Sequence, residues 1–191
     1  MNLRAVVVGI PGVGKSTVVD KVVAGFPGAK LVNFGTVMFE EALARKWVKI
    51  RDEMRKMPVE KQKRLQKVAA TKIARMREKA VIVDTHLFIR TEEGFWPGLP
   101  FDVVRAMKPT HLVLIIAKPE EIAKRRSADA TRVRDSLTSE SLTEELELAR
   151  SFLAVSSTLT GAPMTVISND EGKQEEVAQS LLEMLEKAAK R

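Results

Sequence analysis

Apolar runs alternate with amphipathic stretches along the whole chain. Five short runs read as buried strands: Leu3 to Val8, Lys30 to Asn33, Ala80 to Val83, His111 to Ile116 and Met164 to Ile167. Between them the apolar positions recur at helical spacing. In the last stretch Val177, Leu181, Leu182, Leu185 and Ala188 fall on one helical face. Strands alternating with helices predict an α/β fold of three layers, with a five-stranded parallel sheet covered on both sides. Two segments interrupt the alternation. Residues 40 to 78 read as a long helical insert rich in Arg and Lys, and residues 125 to 140 are crowded with Arg, Asp, Ser and Thr. Each is expected to be a mobile element on a rigid core, and no internal repeat or low-complexity linker divides the chain.

Composition narrows this reading only in part. A chain of 191 residues is the size of one domain, and 45% hydrophobic with 30% charged residues argues against disorder. The absence of cysteine removes disulfides, thiolate nucleophiles and Cys-based metal sites, and makes a reducing, cytoplasmic compartment the expectation. No apolar run approaches the ~20 residues that cross a bilayer, so no membrane partner is expected. The first residues lead straight into a glycine-rich turn, which reads as a first core strand rather than a signal peptide. A formal charge of +7 implies an acidic partner, for which nucleic acid, nucleotides and phosphorylated metabolites all qualify.

That turn carries the first chemistry. Gly9, Ile10, Pro11, Gly12, Val13, Gly14, Lys15 and Ser16, with Thr17 next, satisfy the spacing G-x-x-x-x-G-K-[ST] over residues 9–16, with a strand before and a helix after. Glycines allow a close backbone approach, so successive N–H groups can line a concave nest at a helix N-terminus where negative charge is favoured. Lys15 would reach the β- and γ-phosphates of a nucleoside triphosphate, and the Ser16 hydroxyl would ligate Mg²⁺. The expected fold is therefore that of the P-loop NTPases. Asp84 ends an apolar strand at the edge where open α/β sheets bind ligands, which suits an acid that holds Mg²⁺ through water or faces the acceptor.

The loop alone does not say where the γ-phosphate goes. A guanine-reading N-K-x-D is absent, and Ser168-Asn169-Asp170 after the last strand is not that motif. A small-molecule kinase needs a second pocket and cations that neutralise moving charge. Arg125-Arg126 and the stretch Asp129-Ala-Thr-Arg132-Val-Arg134-Asp135 supply such cations and read as a lid.

Taken together, GIPGVGKST, VNFGTVMFE at 32 to 40, RDEMRKMPVEKQKRLQ at 51 to 66, VDTHLFIRT at 83 to 91, PGLP at 97 to 100 and DATRVRD at 129 to 135 resemble the archaeal adenylate kinase family over nearly the whole chain. The resemblance implies Mg²⁺-dependent transfer of the ATP γ-phosphate to AMP, giving two ADP. It also implies a single kinase domain over residues 1–191 with a nucleotide-monophosphate insert at 34–78, a short lid at 125–138, and a homotrimer. By the same resemblance, residues 9–17 hold ATP and Lys15, Arg125, Arg132 and Arg134 act on the transferred phosphoryl group. Gly35, Thr36, Arg55, Asp84, His86, Arg90, Gly98 and Leu99 match the AMP side, Arg51 with them less closely. Phe34 and the pair Phe39 and Glu40 depart from the common bacterial pattern.

Several readings stay open at this point. A kinase for another nucleoside monophosphate or a small-molecule acceptor fits the same residues, as does an RNA- or ribosome-associated ATPase, although no aromatic platform or basic tail for nucleic acid is present. His86 reads equally as a phosphate contact or a structural group, whereas His111, Trp47 and Trp96 read as packing. Gly98-Leu99-Pro100 would offer backbone groups to a purine edge.

Overall fold

A computed structural model of the chain describes residues 2–91, 93–128 and 138–190. All five expected strands form, those at Leu3–Val8 and His111–Ile116 unchanged in extent and the other three longer by one residue. The first three are β1 (Leu3–Val8), β2 (Ala29–Asn33) and β3 (Ala80–Asp84). Beyond a two-stranded hairpin, β4 (Phe88–Thr91) and β5 (Gly94–Pro97), come β6 (His111–Ile116) and β7 (Met164–Ser168). The parallel sheet has the order β2-β3-β1-β6-β7, and β4 and β5 pair antiparallel apart from it. β1, β3 and most of β6 are buried because helices cover both faces, which is why they read as unbroken apolar runs.

The helices are α1 (Lys15–Gly25), α2 (Phe34–Ala44), α3 (Val59–Ala74), α4 (Phe101–Met107), α5 (Pro119–Ala128), α6 (Ser139–Thr160) and α7 (Gln174–Ala189). Their buried positions follow the expected spacing: Val18, Val19 and Val22 in α1, and Val177, Ala178, Leu181 and Leu185 in α7.

Two expectations need correction. The insert is not one long helix. α2 stops where Lys46 takes a left-handed φ of 58°, a short 3-10 helix covers Arg51–Lys56, and Pro58 opens α3. The hairpin was missed because its strands are four residues each and mostly exposed.

The connection from β1 runs to β2 on one side, while the connection from β3 runs to β6 on the other. The two part company at the carboxyl ends of β1 and β3, where open α/β sheets bind ligands. At the opposite end of β1, Arg4 donates to Lys108 O and Ala74 O, both at 2.9 Å, and so caps the carboxyl ends of α4 and α3. Arg75, Arg77 and Lys108 line a cavity of about 540 Å³ there. Arg4 thus answers two helix C-termini, where a cation is favoured.

Candidate active site

The chain leaves β1 as a loop whose shape depends on its glycines. Gly14 has φ 78°, and a Cβ there would overlap the Asn169 amide. At Gly9 a Cβ would meet the Ile115 carbonyl at 2.8 Å. Gly14 is also the N-cap of α1 and brings no side chain to its free N–H groups. Where α2 and α6 have Asn33 and Thr138 to accept those bonds, α1 leaves its first turn to whatever occupies the loop.

Side chains from distant strands and helices hold the loop from below. Asn169, fully buried at the end of β7, donates Nδ2 to Val13 O at 2.8 Å. Arg125 donates Nη2 to Asn169 O at 3.0 Å and to Glu121 Oε2 at 3.1 Å. Its Nη1 lies beside Gly14, buried and with no hydrogen-bond partner among the described residues. Arg126 donates Nε to Pro11 O at 2.8 Å. Ser16 and Thr17 are exposed on the first turn of α1, whereas Ile10 and Val13 are buried beneath the loop.

Lys15 is buried and pairs with Asp84 Oδ1. Burial pushes its ammonium down, to about 8. Asp84 Oδ2 accepts from Asn33 Nδ2 at 2.8 Å, across the β2–β3 pair in which the two residues are opposite each other. Asn33 Oδ1 in turn accepts from Thr36 N at 3.0 Å, Thr36 Oγ1 at 3.1 Å and Arg51 Nη2 at 3.3 Å. Gly35 lets that arginine close in, since a Cβ would stand 2.9 Å from Arg51 Nη2. One polar chain thus runs from the phosphate-loop lysine to the start of the insert.

The other expected residues fall around this chain. His86 Nδ1 is 3.2 Å from Gly9 O. Arg90 lies on β4, where it donates Nε to Glu145 Oε1 at 3.1 Å and Nη2 to Ser141 Oγ at 3.2 Å. Gly98 is placed by packing: a Cβ would overlap the His86 carbonyl, and its N–H is already given to Leu87 O at 2.7 Å. The Leu99 side chain is buried in the main core. Arg55 is exposed on the 3-10 helix and takes no part in the chain of bonds from Lys15. Arg132 and Arg134 lie outside the described residues, as does most of the expected lid.

Four residues of this region escaped the sequence reading as site residues: Asn33, Arg126, Glu145 and Asn169. Asn33 had a local signal, since Asn immediately before a helical run is a favoured N-cap. Arg126 was visible only as half of an arginine pair. Asn169 and Glu145 act through partners more than 100 and about 50 residues away, which no local pattern announces.

Ser16 and Asp84 offer hard oxygens of the kind Mg²⁺ takes, and among the described residues no group of three or more His, Asp or Glu holds a metal alone. The residues present therefore fit an ion that takes most of its shell from nucleotide phosphates and water.

Comparison with known proteins gives a consistent picture. The family profile of an AAA domain matches residues 8–143. The adenylate kinase of Thermoplasma acidophilum is 44% identical over 183 residues, covering 96% of this chain and 98% of that protein. That of Methanocaldococcus jannaschii is 41% identical over 189 residues, with 96% and 98% covered. Among solved structures, shikimate kinase from Bacteroides thetaiotaomicron superimposes with a TM-score of 0.64 at 16% identity, over 96% of this chain and 98% of that one, and shares the fold.

Proposed function

The chain belongs to the adenylate kinase family, and from that premise we propose that it transfers the γ-phosphate of ATP reversibly to AMP, giving two ADP. The observation that carries the mechanism is the donor-rich phosphate loop. The first turn of α1 has no side-chain cap, and beside it stand a buried lysine and Arg125 Nη1, which has no partner among the described residues. Such a place stabilises the charge of a polyphosphate.

In this reading ATP phosphates occupy residues 9–17. AMP lies between residues 34–66 and 84–100, reached across the Asp84–Asn33 bond. Lys15 exchanges its Asp84 partner for phosphate oxygens. Ser16 and Asp84 would hold Mg²⁺, which would supply neutralisation of the phosphate charge. No general base is needed, because the AMP phosphate is already anionic at neutral pH. In-line placement by Lys15, Arg125 and Arg90 supplies the catalysis, with Arg132 and Arg134 from the lid. The insert at 34–78 and the lid at 125–138 close over the pair and exclude water, which would otherwise compete as acceptor. A homotrimer in the cytoplasm, with no nucleic-acid or membrane partner, completes the proposal. Among the described residues no helix is long and apolar enough to cross a membrane.

The test is ADP formation from Mg·ATP with AMP, CMP, UMP, GMP or no acceptor, in the wild type and in Lys15→Ala. Rapid turnover with AMP alone is expected, with a loss on the order of 10²-fold or more in the variant. Equal ATP consumption with and without acceptors would sink the kinase reading and favour an ATPase.

A further inference from the structure

Glu145 is a carboxylate in a core stripe. Leu142, Ala149 and Leu153 share its face of α6 and are buried with it, and its own side chain is 5% exposed. A buried charge is costly unless it is paired. Glu145 is paired twice, with each oxygen given to a different arginine from a different element. Oε2 takes Arg126 Nη2 at 3.2 Å, from α5, and Oε1 takes Arg90 Nε at 3.1 Å, from β4. Arg126 reaches on to the Pro11 carbonyl of the phosphate loop, while Arg90 rests over the Phe95 ring at 5.0 Å. A single buried acid therefore spans the distance between the ATP loop and the hairpin expected to face AMP.

We propose that Glu145 is a positioning residue that couples the two nucleotide sites, so that filling one strengthens binding at the other. The proposal rests on the adenylate kinase reading above. Arg90 and Arg126 would repel each other without the acid between them, and the carboxylate lets both stay close. Each guanidinium spends two of its five N–H groups in the bonds described, so each keeps donors for phosphate. Because the two oxygens belong to one rigid group, a phosphate that draws Arg126 tighter to the loop moves the carboxylate and reorients Arg90. The reverse follows by linkage: AMP bound through Arg90 sets Arg126 and, through Pro11, the shape of the ATP loop. Glutamine at 145 keeps the size but offers one acceptor oxygen and an amide NH₂ that faces a guanidinium, so it cannot hold both.

Calorimetric titration of AMP, with and without a non-hydrolysable ATP analogue, tests this in the wild type and in Glu145→Gln. The wild type is expected to bind AMP about fivefold or more tightly when the analogue is present. In Glu145→Gln each ligand still binds alone, and the enhancement falls to within about twofold of none. A merely structural glutamate would lower the melting temperature and leave the ratio untouched. An unchanged ratio in the variant, or no enhancement in the wild type, overturns the proposal. Should Glu145→Gln fail to fold, Arg126→Lys serves the same test. It keeps the charge beside Glu145 but loses the planar fork that spans the acid and Pro11, and the same loss is expected. The underlying kinase reading fails separately, by absence of ADP formation from ATP and AMP in the wild type.

Discussion

Residues 9–17 and residues 34–66 border the same crevice, yet they are built in opposite ways. The phosphate loop is wedged into the main core, with Ile10 and Val13 buried beneath it and Asn169 and Arg125 bonded behind it. Much of the insert stands on its own small cluster of Ala42, Val48, Met57 and Leu65, and its 3-10 helix buries nothing. Among the described residues its apolar links to the main core are Phe34, Val37 and Met38 in α2 and Ala69, Ala70 and Ile73 in the last turns of α3. At the crevice itself the attachment is polar, the Asp84–Asn33–Thr36–Arg51 chain. On the proposed reading the loop is a preformed cradle for ATP, and an insert tied to the sheet edge by polar bonds would close over the acceptor without opening a core.

A methyl group breaks this contrast most sharply. In Gly14→Ala the new Cβ overlaps the Asn169 amide and the left-handed backbone adds ~1–2 kcal/mol of strain. Nothing in the wedged loop can yield, so nucleotide affinity is expected to drop on the order of 10²-fold or more, with a lower melting temperature. In Gly35→Ala the Cβ crowds the tip of the exposed Arg51 side chain, which can swing aside, and touches Asn33 Oδ1 at an ordinary 3.4 Å. That variant should raise the KM for AMP a few-fold at most. Fluorescence titration of ATP and steady-state kinetics measure both, and similar losses in the two variants would erase the distinction.

The same contrast decides what was legible in the sequence. β1 and its loop were plain because burial on both faces writes an unbroken apolar run, and phosphate binding writes glycines at fixed spacing. Asp84 was legible as an acid at a strand end. The insert was read as one long helix, since α2 and α3 share helix-forming residues and the interruption lies in one left-handed lysine and one proline. Hairpin strands of four exposed residues left no period to detect. Glu145 sits among Glu144 and Glu147 and looks like any solvated glutamate. Only tertiary packing separates it from them, because it alone turns onto the stripe of Leu142 and Ala149.

Asn33→Ala sharpens the comparison from the side of the insert. It removes the α2 cap, the bond to Asp84 and one partner of Arg51 together. Losing an Asn N-cap costs ~0.5–2 kcal/mol, so the KM for AMP is expected to rise several-fold. The ATP loop keeps its own supports, and the KM for ATP should stay within about twofold. Equal rises in both constants would show that the insert and the loop respond as one body.

The dependence on pH, slight near neutrality, also separates the two sides. Lys15 is the group in the crevice that burial brings into an accessible range, to about 8. Its charged form attracts phosphate, so affinity is present below that value and falls as pH rises through it. In the free enzyme kcat/KM for ATP should be level from pH 7 to near 8, then decline by up to about tenfold per unit. The bonds that fix the insert to the sheet edge run through Asn33, Thr36 and Arg51 and not through the Lys15 ammonium. AMP binding measured alone should therefore remain nearly flat over the same range. Lys15→Arg supplies the control, because a guanidinium stays charged throughout; the decline in kcat/KM should vanish even if the overall rate is lower. A decline that persists in Lys15→Arg would assign the titration to another group and detach the burial of Lys15 from the handling of ATP.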